Sequence, residues 1–189
     1  MIEAAALVVA NYASVLATFH VTSTSDAGVG SLRDAISKAN TAAGADTIDF
    51  TDMLFEAVPD YITLISGELL ISSDIKITGT GASKLSISGN NASRAFEIAS
   101  ASKVTISGLS ITQGSAVSVV GGGIYNLGTL TLSSSTVSGN TASGFGGSIL
   151  NLVGGTSASS KSTLTGNKAT NGGIYNLGTS ALSKGATSM

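Results

Sequence analysis

The sequence predicts an all-β fold: a parallel β-helix solenoid of roughly five or six coils behind an N-terminal strand-helix-strand cap. Three observations predict it. The first is a repeat. Gly121 to Thr129 reads GGGIYNLGT and returns as GGSILNLVG and GGIYNLGT, so Ile124, Ile149 and Ile174 recur every 25 residues, with Asn126, Asn151 and Asn176 in the same register. A constant period of this size marks stacked coils. The second is alternation. Lys103-Val104-Thr105-Ile106-Ser107, Thr129-Leu130-Thr131-Leu132-Ser133, Asp74-Ile75-Lys76-Ile77-Thr78 and Lys84-Leu85-Ser86-Ile87-Ser88 alternate polar with apolar residues, the period of a strand with one buried face. The third is composition. One Pro leaves parallel ladders unbroken, 24 Gly supply turns, and only 11% of residues are charged, so Ser, Thr and Asn must carry solubility. There is no Cys, hence neither disulfide nor thiolate chemistry.

Taken in order, residues 1–18 read as a leader or tail, weakly structured or capping. The stretch is apolar, but Glu3 stands where a signal peptide carries Lys or Arg, Asn11 and Tyr12 interrupt it, and it is too short to span a bilayer. Residues 19–50 form the cap. Phe19 to Thr22 reads as a strand, and Leu32, Ala35, Ile36 and Ala39 trace one helical face that starts at Gly30 or Ser31. Asp46 to Phe50 is the second strand. Leu32 and Ile36 are expected to cover the apolar end of the first coil. Residues 51–189 form the coils. Val104, Thr105 and Ile106 match Leu130, Thr131 and Leu132 at 26 residues, and Ser88-Gly89-Asn90 returns at Ser138 and, as Thr-Gly-Asn, at Thr165.

Val21 to Asp26, Gly30-Ser31-Leu32-Arg33-Asp34-Ala35-Ile36 and Ala45 to Phe50 resemble the N-terminal cap of bacterial surface β-helix proteins known as the CSLREA domain, in a form with Gly30 at the Cys position. Gly122-Gly123-Ile124-Tyr125-Asn126 and Ser138 to Ala142 are similar to the repeats of polymorphic outer membrane proteins. The resemblance covers about Phe19 to Leu177. It implies a right-handed parallel β-helix displayed on, or secreted from, a bacterial cell, and brings no catalytic residue. The chain departs from the pattern late. Twenty-six residues after Leu130 and Leu132 stand Thr156 and Ala158, inside the small polar run Gly154 to Ser160, and Ser180 to Gly185 is weak again. These coils are expected to fray, and their uncapped C-terminal edge is open to self-association.

Chemistry is sparsely supplied. All eleven acids lie at or before Glu97, and from Ile98 onward there is no Asp, Glu or His. An acid or base would have to come from Asp46, Asp49, Asp52, Glu56, Asp60, Glu68, Asp74 or Glu97. Asp46, Asp49 and Asp52 invite a calcium reading, but alternation aims Asp46 and Asp49 at opposite faces and no Gly-Asp ladder exists, so no metal is expected. His20 reads as a packing or hydrogen-bonding residue of the cap. Gly121-Gly122-Gly123 lacks the Lys-Ser/Thr of a phosphate loop, and no cofactor is expected. Asn126, Asn151 and Asn176 read as a structural amide ladder. Tyr125 and Tyr175 are candidates for an aromatic binding stripe. The formal charge of −2 has no dense basic patch, which argues against nucleic acid.

Three function classes follow. The first is a noncatalytic surface or secreted scaffold for adhesion or matrix, binding a surface polysaccharide or another cell-surface protein. The alternative is a fragment of a polysaccharide lyase or hydrolase. Ice binding ranks last, because only Thr129 and Thr131 form a Thr-x-Thr pair in one coil, and the positions matched to them are Lys103 and Thr105, then Gly155 and Ser157.

Overall fold

The computed structural model describes residues 16–50, 59–116, 120–183 and the backbone of 187–188. The expected leader lies almost wholly outside the described residues, as do Asp52 and Glu56. The chain is a right-handed parallel β-helix of about six turns whose strands all pair in parallel. It begins with β1 (Thr18–His20), α1 (Leu32–Thr41), β2 (Asp46–Asp49), β3 (Asp60–Thr63) and β4 (Leu69–Ile71). The next coil is β5 (Ile75–Thr78), β6 (Leu85–Ser88) and β7 (Phe96–Ile98). Three coils gain a further strand: β8 (Lys103–Ser107), β9 (Ser110–Thr112), β10 (Ser115–Ala116) and β11 (Ile124–Asn126); β12 (Thr129–Ser133), β13 (Thr136–Ser138), β14 (Thr141–Phe145) and β15 (Ile149–Asn151); β16 (Thr156–Ser160), β17 (Thr163–Thr165), β18 (Lys168–Asn171) and β19 (Ile174–Asn176). The last begins with β20 (Thr179–Leu182) and β21 (Thr187–Ser188).

Among the described residues stacking produces four sheets. Sheet A runs β1-β2-β5-β8-β12-β16-β20, sheet B runs β3-β6-β9-β13-β17-β21, sheet C runs β4-β7-β11-β15-β19, and β10-β14-β18 form sheet D. Inward positions form continuous apolar columns, such as Ile75, Val104 and Leu130 beside Ile77, Ile106 and Leu132, all buried. Tight turns hold the coils together. Gly121 and Gly146 adopt φ of +64° and +63°, and a Cβ on Gly122 would run into the Gly147 and Thr141 carbonyl oxygens, which explains the repeated Gly-Gly pairs.

The cap is continuous with the solenoid. β1 is the edge strand of sheet A, one coil before β2, and the intervening α1 covers the open end. Ser31 caps the helix: its Oγ accepts from the Asp34 N–H at 3.1 Å, while Asp34 Oδ2 accepts from the Gly30 N–H at 3.0 Å. Leu32, Ala35, Ile36 and Ala39 are buried in the common core. The helix also satisfies the exposed edge of β4: Asn40 Nδ2 donates to Leu70 O and Asn40 Oδ1 accepts from Ser72 N–H, both at 2.9 Å. One amide thus replaces a neighbouring strand.

The register corrects the expectation for the later coils. Leu130 and Leu132 pair with Ser157 and Ser159, while Thr156 and Ala158 sit beside Thr129 and Thr131 in the outward columns. The spacing on sheet A is 27 residues at this step rather than the 26 of the step before, because the turn between β15 and β16 is two residues longer than that between β11 and β12 and lifts the 25-residue step of sheet C to 27. The run still forms a full strand, with Ser157 and Ser159 buried. The same shift moves Gly155 and Ser157 out of the Thr129 and Thr131 columns.

Candidate functional site

Outward positions of sheet C hold one column: Leu70, Glu97, Tyr125, Leu150 and Tyr175. At its N-terminal end the structure gathers a charged cluster. Arg94, in the turn before β7, pairs through Nε with Glu68 Oε2, donates from a terminal nitrogen to Val120 O at 3.2 Å and places its guanidinium carbon 4.8 Å from the centre of the Tyr125 ring. Its other terminal nitrogen is 4.0 Å from Glu97 Oε2. The cluster borders a cleft of about 430 Å³ lined by Ser66, Gly67, Glu68, Ser93, Arg94 and Ser115.

The cap fixes one wall of this cleft. Arg33 donates to Asp26 Oδ1 at 2.7 Å, to Gly67 O at 2.6 Å and to Glu68 O at 2.8 Å, and Asp26 Oδ2 accepts from the Ser66 N–H at 2.8 Å. The turn carrying Glu68 is therefore fixed from two sides by α1 and the loop before it. Burial presses the Asp26 carboxyl upward, but hydrogen bonds from Ser66 and Arg33, with the Arg33 charge, hold it below the ordinary range. Glu97 moves the other way: burial raises it first, then the adjacent Glu68 charge, against the opposing pull of Arg94.

Of the expected acids that lie among the described residues, Glu68 and Glu97 are the ones brought to a common guanidinium, with Glu68 lining the cleft. Asp46 is buried and accepts from the Ala17 N–H at 2.9 Å, Asp74 accepts from the Lys103 N–H at 2.8 Å, and Asp49 lies 2.6 Å from His20 Nδ1. Asp60 stands apart at the start of β3. Among the described residues no group of three or more His, Cys, Asp or Glu is placed to hold a metal ion. Tyr125 lies under Arg94, Leu150 beside it is buried, and Tyr175 packs on Phe145 with ring centres 4.4 Å apart.

The repeated Asn residues form one file, with Asn126 and Asn151 buried and Asn176 exposed at its C-terminal end. Asn126 Nδ2 donates to Asn151 Oδ1 at 2.6 Å, and Asn151 Nδ2 donates to Asn176 Oδ1 at 2.7 Å. Each amide also ties its own turn, for Asn126 Nδ2 reaches Gly128 O and Thr156 O, and Asn151 Nδ2 reaches Gly155 O and Thr179 O. Sequence reasoning missed a second ladder, in which Asn140 Nδ2 donates to Asn167 Oδ1 at 2.9 Å and Asn140 Oδ1 accepts from the Gly114 N–H at 2.7 Å. The Ser-Gly-Asn recurrence was its signal. It also missed Arg94 and the positioning pair Asp26 and Arg33. Aligning Leu69-Leu70-Ile71 with Phe96-Glu97-Ile98 would have stacked the two acidic segments; nothing local marks Arg33 as reaching residue 67.

No helix among the described residues is long and apolar enough to cross a membrane. No protein-family model matches the sequence, and no curated protein matches it either.

Proposed function

We propose that this protein is a noncatalytic, cell-surface or secreted β-helix scaffold that binds polysaccharide in adhesion or matrix formation. The resemblance of its cap and Gly-Gly-Ile-Tyr-Asn repeats to bacterial surface β-helix proteins supports that setting. The observation that carries the noncatalytic reading is the closed ion cluster. Glycoside hydrolysis sets two carboxyl groups roughly 5–9.5 Å apart across the scissile bond. Here Arg94 pairs with Glu68 and lies 4.0 Å from Glu97, so both carboxylates are drawn to one guanidinium rather than held across a gap where a sugar linkage could sit. The cluster braces the outer face of sheet C.

The test is incubation of the full chain with neutral and uronate polysaccharides, measuring both retention and products. The expected result is retention with neither reducing ends nor unsaturated products released. Turnover that disappears in Glu97→Gln would establish the lyase or hydrolase reading instead.

A further inference from the structure

The outer face of sheet B differs from that of sheet C. Its two outward columns are Tyr61, Ser86, Ser110, Thr136 and Thr163, and Thr63, Ser88, Thr112, Ser138 and Thr165. Every one of these positions carries a hydroxyl and none carries a charge. At its N-terminal end lies a groove of about 330 Å³ lined by Pro59, Tyr61, Lys84, Ser86, Thr112 and Gln113. Where later coils place a Ser or Thr, the first coil places an aromatic ring, and Tyr61 is 61% exposed. A ring standing open among small hydroxyl residues leaves its apolar face available for stacking.

The groove's polar groups are pre-oriented. Ser86 Oγ and Thr112 Oγ1 lie 2.9 Å apart, and Ser88 Oγ donates to Gln113 Oε1 at 2.7 Å. Ser88 is buried and orients the Gln113 amide, while a hydroxyl donates once and accepts twice and that amide has two N–H donors, so Ser86, Thr112 and Gln113 in the groove wall retain capacity for a polyhydroxylated ligand. An aromatic platform beside hydroxyls, an amide and one ammonium suits a sugar ring: the apolar C–H face stacks on Tyr61 while the equatorial hydroxyls meet Ser86, Thr112, Gln113 and Lys84. The coil rise of about 4.8 Å is close to the length of one residue in an extended β-linked chain, so a polymer can follow the hydroxyl columns along the axis.

We infer that Tyr61 anchors a binding site for a neutral polysaccharide laid along sheet B. Among the described residues Lys84 is the sole charged side chain lining the groove, and Met1 to Glu97 carries a net charge of −6, so a polyuronate gains one contact against a repulsive field. The inference rests on the scaffold reading and specifies its ligand.

The experiment is affinity electrophoresis of the full chain in gels containing a soluble β-glucan, a mannan or polygalacturonate, alongside Tyr61→Ala, Tyr61→Phe and Arg94→Gln. The expected result is retardation by a neutral polymer that changes little with added salt. Tyr61→Ala should weaken it about tenfold or more, with Tyr61→Phe retaining the ring and most of the affinity. Circular dichroism checks that the variants are folded. Retardation unchanged in Tyr61→Ala, or seen with polygalacturonate alone, or abolished by Arg94→Gln but not by Tyr61→Ala, overturns this site and leaves the scaffold reading intact. If no polymer retards the chain, both fail.

Discussion

The coils that contain β12 and β16 have the same backbone on sheet A and opposite interiors. Both strands are five residues long and pair in parallel on both sides. Inside β12 sit Leu130 and Leu132; inside β16 sit Ser157 and Ser159, equally hidden from water, with Ser159 Oγ lacking a hydrogen-bond partner. Two consequences follow. A strand in a solenoid forms because its neighbours present a complete ladder, so β16 needs no apolar pattern of its own. Its energy nevertheless differs from that of β12, since each buried Leu contributes roughly 1.5–3 kcal/mol that a Ser does not supply. Geometry is shared along the axis, and stability is local.

The sharpest test of this contrast is truncation of the core on the strong side. Leu132→Ala should cost about 2–5 kcal/mol in denaturant unfolding. In the parent chain, amide exchange should be slowest in β8 and β12 and fastest from Thr156 onward, because stability in nearest-neighbour stacks does not average over the chain. Equal protection in the two regions would break the comparison. At the other end, Leu32→Ala should lose a similar 2–5 kcal/mol and release α1 from the edge of β4, exposing backbone groups that favour association. A Leu32→Ala chain that melts like the parent and stays monomeric in light scattering would show that α1 does not close the solenoid.

Smaller effects address the polar interior. Asn151→Ala removes the middle of the amide ladder and leaves Asn126 Nδ2 and the Gly155 and Thr179 carbonyls short of a partner, so a loss of about 1–3 kcal/mol is expected in thermal melts. Ser159→Ala removes a buried hydroxyl without a partner and should be neutral or stabilising by up to about 1 kcal/mol. A clear loss there would mean that the hydroxyl is satisfied in solution.

The smallest expected effect is on pH dependence. Glu97 is raised in the folded chain, so its contribution is fully present below its unfolded value and is lost as pH rises through the folded one. Asp26 is lowered, so its contribution is present above its unfolded value and is lost as pH falls through the folded one. Unfolding midpoints measured across the acid range should show stability declining above the ordinary Glu range in the parent and not in Glu97→Gln. A Glu97→Gln profile that keeps the decline would detach it from the cluster.

Much of the fold was legible because a solenoid writes its architecture into its period. The 25-residue recurrence of Ile and Asn, the alternating strands and the helical face through Leu32 and Ile36 each depend on neighbours in sequence or on one constant spacing. Register across the later turn was not legible. Sheet A steps by 27 residues from β12 to β16 rather than 26, a one-residue difference that puts every side chain on the face opposite to the one expected, and the small polar run offers no apolar alternation to reveal the shift. The candidate sites were hidden for a related reason. Glu68, Arg94, Glu97 and Tyr125 come from three successive coils, and Tyr61 shares a groove with Thr112 and Gln113 from two coils further on. The sequence by itself determined the coil, its period and its cap. Which charges neutralise one another, and which ring stays open to water, was decided only when stacking brought distant turns within contact distance, since pairing energies and burial depend on proximity in space rather than along the chain.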